Sequence, residues 1–174
     1  MSNKSPRRRA REFALQALYQ WQVAGHSLAF IEKQYAEMEH FERADKKLFS
    51  ALVAGAMKHH DALAATLQPH LDREWPAVSP IEKGVLLVGA LELVHMAETP
   101  YRVVINEAIE LGKTFGGTDG HKYVNGILDK LAADVRRDEI EFQGHAVAPK
   151  RVSREAKKPV VLVKKATKVT KAAS

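Results

Sequence analysis

"PIEKGVLLVGALELVHMAE", residues 80–98, is apolar around most of a helical circumference. A helix that meets water on one side carries a polar stripe there, whereas one that is apolar all round is enclosed by other elements. This stretch therefore reads as a central helix. Ser79 supplies an N-cap and Pro80 fits the first turn, where its missing N–H is no loss. Pro100 closes the segment. Gly84 and Gly89 each cost about 1 kcal/mol inside a helix, and close approach of a neighbouring helix is what such positions allow. The run 85–97 is interrupted by Glu92 and His95 and is too short to span a bilayer.

Outward from this helix, every segment with a clear period reads as helical. Helix one follows Pro6 to about Val23 and stops before Gly25; Ser27 caps a second helix from Leu28 to about Met38. The pattern predicts a long third helix from about Arg43 to Leu67. The stretch "PHLDREWPAVSP" (69–80), with three prolines, reads as a junction between two halves. After the central helix, the spacing predicts a helix from about Val103 to Phe115. A last one runs to about Arg137 with Asp119 as its cap. No stretch of the body alternates like a half-buried strand, and no fixed-period repeat is present. The expected fold is all-α: six or seven helices in two packed small bundles within residues 1–148. The lysine-rich segment 149–174 is expected to be a disordered basic tail.

Charge is unevenly placed. Residues 1–11 carry five cations and no acid, giving +5; residues 149–174 carry nine cations against Glu155, giving +8. Against a whole-chain charge of +6, this leaves −7 on residues 12–148. The ends, not the body, are the parts that would seek an anion. The chain has no cysteine, which excludes disulfides and thiolate metal sites. No apolar run follows the basic N-terminus, so no signal peptide is expected, and the chain reads as cytoplasmic.

The N-terminal segment "RRRAREFALQALYQW" (7–21) places four arginines on the first turns of helix one. Positive charge is disfavoured there because unpaired backbone N–H groups already make that end positive. At helical spacing, Ala10, Ala14, Ala17 and Trp21 form the core stripe, flanked by Phe13 and Leu18. The opposite face combines Arg8, Glu12, Leu15 and Tyr19, with Arg7 and Arg11 on one shoulder and Arg9 on the other. Cations beside an outward aromatic suit single-stranded nucleic acid, where phosphates meet Arg and a base stacks on Tyr. The plainer alternative is a solvated basic turn. A second candidate surface is "FGGTDGHKYVNGILDKL" (115–131): Val124, Ile127, Leu128 and Leu131 point inward, while Lys122 projects away from them. Its Gly-Gly-Thr-Asp-Gly run lacks the Gly-Lys-Ser/Thr ending of a phosphate-binding loop.

The three blocks "RRRAREFALQALYQW", "NEAIELGKTFGG" and "GHKYVNGILDKL", in this order and separation, resemble the NusB family of bacterial transcription antitermination factors, over about residues 6 to 135. The resemblance implies an all-helical protein of two three-helix-type bundles. It also implies binding of boxA RNA, a single-stranded element of nascent transcripts, together with ribosomal protein NusE. The expected role is in the RNA polymerase antitermination complex, promoting read-through. Arg7, Arg8, Arg9 and Arg11 match the family's RNA-binding arginine motif, and Tyr19 its aromatic on the same helix. Phe115, Asp119, Lys122 and Tyr123 fall on the second RNA-facing segment. Glu82 falls on the helix the family presents to NusE. Segment 69–80 resembles the family least, the tail lies outside the pattern, and a homodimer is left open.

Other readings have weaker support. A similar helical domain is fused to RNA cytosine methyltransferases, but those need a large α/β domain and a catalytic cysteine. Ser50 and Ser79 lack a nucleophile-elbow context. His59, His60 and Asp61 are adjacent on one helix, point about 100° apart, and read as surface or packing residues. Glu92 and His95 could share a metal face but have no second pair. No catalytic residue, cofactor, metal or membrane is expected. The serious alternative is a helical adaptor whose basic ends dock on acidic partners by charge alone; preference among RNAs of equal length separates the two.

Overall fold

The computed structural model describes residues 3–147, in which all regular structure is helical. Eight α-helices occur among them: α1 (Pro6–Ala24), α2 (Leu28–Ala36), α3 (Lys46–Lys58), α4 (His60–Leu67), α5 (Pro80–His95), α6 (Tyr101–Phe115), α7 (Gly120–Val135) and α8 (Arg137–Val147). The tail expected from residue 149 lies outside the described residues.

Helix starts follow local chemistry. The hydroxyls of Ser5, Ser27 and Ser79 accept from the backbone N–H groups of Arg8, Phe30 and Glu82 at 3.2, 3.2 and 3.3 Å, and Asp45 caps α3 through Leu48 N–H at 2.9 Å. Each satisfies a donor that the helix itself cannot. Gly25 ends α1 in the left-handed conformation, φ 68°, where a Cβ would be strained.

Helix α5 is buried continuously from Gly84 to Leu93. It touches α1, α3 and α4 of the first half and α6 and α7 of the second, so it is shared by both. One apolar cluster extends from Ala10 to Ala132 around it. The two glycines of α5 are points of close approach. A Cβ on Gly84 would lie 2.5 Å from Leu15 Cδ1, and one on Gly89 would lie 2.6 Å from Leu128 Cδ1. The close approach expected at both positions is present, to α1 at Gly84 and to α7 at Gly89.

Three local expectations are corrected. The long third helix begins later and is broken at His59 (φ −100°, ψ 13°) into α3 and α4; the His59 ring stacks on His95 at 4.5 Å between centroids. The break directs α4 onto α5 and α7. The last helix ends at Val135, and α8 follows. Arg136 explains that turn: its guanidinium is turned back to donate to the carbonyls of Leu93, Glu92, Met96 and Thr99 at 2.7–3.1 Å, satisfying the C-terminal end of α5. Finally, Asp119 precedes α7 without capping it through its side chain. Its ψ of 11°, far from the extended value of a normal N-cap, goes with a carboxylate that pairs with Lys122 instead, at 3.4 Å.

The junction 69–80 is tied to both halves. Trp75 donates its ring N–H to His60 Nε2 at 3.4 Å, and His60 packs edge-on against Trp21 at 5.3 Å. On the other side, His70 Nε2 lies 3.0 Å from Asp134 of α7.

Candidate nucleic-acid interface

Helix directions decide which candidate residues can act together. Arg11 of α1 meets Glu92 near the end of α5, whereas Gln22 of α1 donates to Pro80 O at the start of α5, at 3.1 Å. Thus α1 and α5 are antiparallel. Gly120 lies against Glu82, Gly89 against Leu128, and Arg136 reaches Leu93, so α7 runs parallel to α5. The end of α1, the start of α5 and the α6–α7 turn therefore share one end of the molecule, and the arginines occupy the other. Arg8 and Tyr19 are eleven residues apart, about 16 Å along the helix axis. An elongated ligand lying along α1 could touch both; a compact one could not.

The four arginines split into distinct environments. Arg11 is 2% exposed and donates to both carboxylate oxygens of Glu92, at 2.9 and 2.7 Å. Burial alone would lower its pKa, but the hydrogen bonds and charge of Glu92 outweigh this and leave it raised. In this structure Arg11 is therefore an internal strut between α1 and α5 and not an exposed cation. The physical reason is that α1 packs against both α3 and α5, so Leu15 on the expected outer face and Arg11 on its shoulder are buried. Arg8 is intermediate: Nε and Nη2 form a bidentate pair with Glu107 of α6, both at 3.0 Å, with the arginine side chain 35% exposed. The Glu107 hydrogen bond is the main cause of a raised Arg8 pKa. Arg7 is exposed and Arg9 half-buried, and among the described residues neither makes an ion pair.

The penalty of cations at a helix N-terminus is thus offset for Arg8 and Arg11 by carboxylates from the second half of the chain. Sequence reading missed Glu107 and treated Glu92 as part of a weak metal face. A glutamate inside an otherwise apolar helix was the available signal, because buried carboxylates need partners. Among the described residues no group of three or more His, Asp or Glu side chains is placed to hold a metal.

At the other end, Tyr19 is 42% exposed, as its position opposite the alanine stripe predicts. Val124, Ile127, Leu128 and Leu131 all face inward, also as predicted, and Lys122 faces outward. Phe115 is half-buried against the core. Tyr123 is also half-buried: its hydroxyl donates to Asp72 at 3.2 Å, and Arg73 lies 4.9 Å from its ring centroid. Burial first, then the Asp72 charge, raises its pKa. The junction thus supplies two residues, Asp72 and Arg73, that sequence reading did not place near this aromatic. Glu82 sits in the first turn of α5, with Oε1 3.6 Å from where a Gly120 Cβ would stand. The candidate partner surface and the second candidate RNA segment therefore adjoin.

Comparison with known proteins agrees with this architecture. The NusB family model matches residues 8–133. The transcription antitermination protein NusB of Dechloromonas aromatica (strain RCB) is 53% identical over 143 residues, covering 82% of this chain and 88% of that protein. Among solved structures, T. maritima NusB superposes with a TM-score of 0.68 at 26% identity, over 79% of this chain and 99% of its own. A NusB from a complex of antitermination factors NusB and NusE with dsRNA shares the fold at a TM-score of 0.64 and 21% identity, over 73% of this chain and 96% of its own. No helix of the described residues is long and apolar enough to cross a membrane. The all-helical architecture built around α5, the family match and the close relatives together show that this chain belongs to the NusB family of transcription antitermination proteins.

Proposed function

We propose that the chain is a non-enzymatic RNA-binding factor that holds boxA-type single-stranded RNA together with ribosomal protein NusE, and so promotes read-through by bacterial RNA polymerase in the cytoplasm. The observation that carries the reading is that Arg7 and Arg9, which make no ion pair among the described residues, stand at the start of a helix that exposes Tyr19 farther along. Phosphates supply the counter-charge and the tyrosine ring a stacking surface. Relatives named as transcription antitermination proteins support the process, and the related NusB–NusE assembly with dsRNA supports the partner and the polymer. Phe115, Asp119, Lys122 and Tyr123 form a second contact region, with Glu82 beside it facing the partner. The helical body acts as one unit, and the nine cations of residues 149–174 add positive charge to it.

The test is binding of a boxA RNA, its scramble of equal length and a duplex of the same sequence, with and without NusE. The proposal predicts preference for the single-stranded boxA and tighter binding with NusE. Linkage requires that RNA raise NusE affinity by the same factor. Equal affinity for all three RNAs would instead favour the charge-driven adaptor.

A further inference from the structure

Arg8 occupies the proposed RNA-binding turn, yet its guanidinium fork is already filled by Glu107, a residue of a different helix 99 positions away in sequence. The pair is well formed, with two hydrogen bonds of 3.0 Å and a Glu107 side chain only 16% exposed. A carboxylate and a phosphate present the same two-oxygen edge to an arginine fork, so they compete for the same face. Glu12 and Glu110 also act on this guanidinium. Glu12 is itself held by Lys4 at 2.8 Å, and Glu110 lies 3.6 Å from Lys113. Among these carboxylates only Glu107 is hydrogen-bonded to Arg8.

We infer that Glu107 is a built-in competitor for the RNA phosphate: it masks Arg8 in the free protein and must be displaced for that arginine to contact the backbone. This inference rests on the proposed RNA-binding function. An RNA that only skims the basic turn meets Arg7 and Arg9 and is repelled by Glu107. One whose backbone is fixed in register against α1 can take Arg8 from it. Such a repulsive element weakens every RNA somewhat and poorly registered ones most, which is how negative charge in a cationic site generates specificity. It also gives a role to the ion pair that ties the basic N-terminal turn to the acidic body at Glu107.

The experiment compares wild type with Glu107→Gln and Glu107→Ala, using single-stranded boxA RNA and its scramble over a salt series. Glu110→Gln, which removes a charge one turn away without touching the Arg8 fork, is the control. Masking predicts binding about threefold tighter in both Glu107 variants, in keeping with an ion pair of this exposure. The gain should be larger for the scramble than for boxA, so preference narrows. It should be small in Glu110→Gln and absent when Arg8→Ala is present. Unchanged or weaker RNA binding in the Glu107 variants, a gain that survives Arg8→Ala, or a gain equal to that of Glu110→Gln would overturn the inference. So would loss of the fold in both Glu107 variants, because the pair would then be a structural strut. Failure of wild type to bind either RNA would instead overturn the functional reading on which the inference rests.

Discussion

Replacing Arg11 with methionine removes the cation from a pair that is almost wholly enclosed, with side-chain exposures of 3% for Arg11 and 1% for Glu92. Methionine preserves much of the length of the apolar stem, so the change isolates the loss of charge and hydrogen bonds. Glu92 would be left inside the core with neither water nor a counter-ion. Removing one partner of such a pair costs about 3–5 kcal/mol, because the remaining charge is uncompensated. For a helical body of this size, roughly 2–4 °C of melting temperature is lost per kcal/mol, so the melting point should fall by about 6–20 °C. Glu92→Leu in the same chain removes the stranded carboxylate and should restore most of the loss, since a well-packed apolar pair of similar volume is often neutral or stabilising. Thermal and urea denaturation of the two single variants and the double variant measure this directly. RNA binding, measured well below the melting point of Arg11→Met, should keep its wild-type salt dependence. A melting point within a degree or two of wild type, together with a shallower salt dependence, would show that Arg11 is an RNA contact and refute the strut.

Further outcomes follow from packing and titration. Gly89→Ala should destabilise by about 1 kcal/mol net, because the new methyl would overlap Leu128 by more than helix propensity returns. Gly126→Ala, in the same fold with nothing within 4 Å, should instead stabilise by about 0.5–1 kcal/mol in urea denaturation. Burial pushes the Tyr35 hydroxyl up to about 12. Its folded pKa is thus above its unfolded one, so its contribution is complete below about pH 10 and is lost as pH rises through 12. Tyr35→Phe should therefore remove part of the alkaline destabilisation between those values, as followed by pH-dependent denaturation, and an identical alkaline profile would contradict the assignment.

The fold was legible in the sequence where local signals were strong. Ser27, Ser79 and Gly25 marked helix ends, and the all-round apolar character of 80–98 marked the centre. The break at His59 was not legible, because the hydrophobic period continues through it and the bend serves contacts made by α4 at long range. The core stripe of α1 was legible from its alanines. The second buried side was not, because a single angular stripe cannot reveal a helix enclosed by two neighbours. For the same reason Arg11 and Arg7 looked alike in sequence, although one is sealed against Glu92 and the other faces solvent. Tyr19 is exposed as expected because the neighbours that bury Leu15, one turn earlier on the same face, do not extend over it. Tyr123 depends on a junction whose path the sequence does not specify, so its partners Asp72 and Arg73 emerged only from the structure.

The most direct test of the account is the salt dependence of boxA RNA binding by Arg7→Ala/Arg9→Ala beside wild type, each shown to melt at the same temperature. Both arginines are free of ion pairs among the described residues, so their loss should leave the fold untouched while removing two phosphate contacts. The account predicts weaker binding and a logarithmic salt slope shallower by about 1.4, from roughly 0.7 for each single-strand contact. An unchanged affinity and slope in the folded double variant would contradict it.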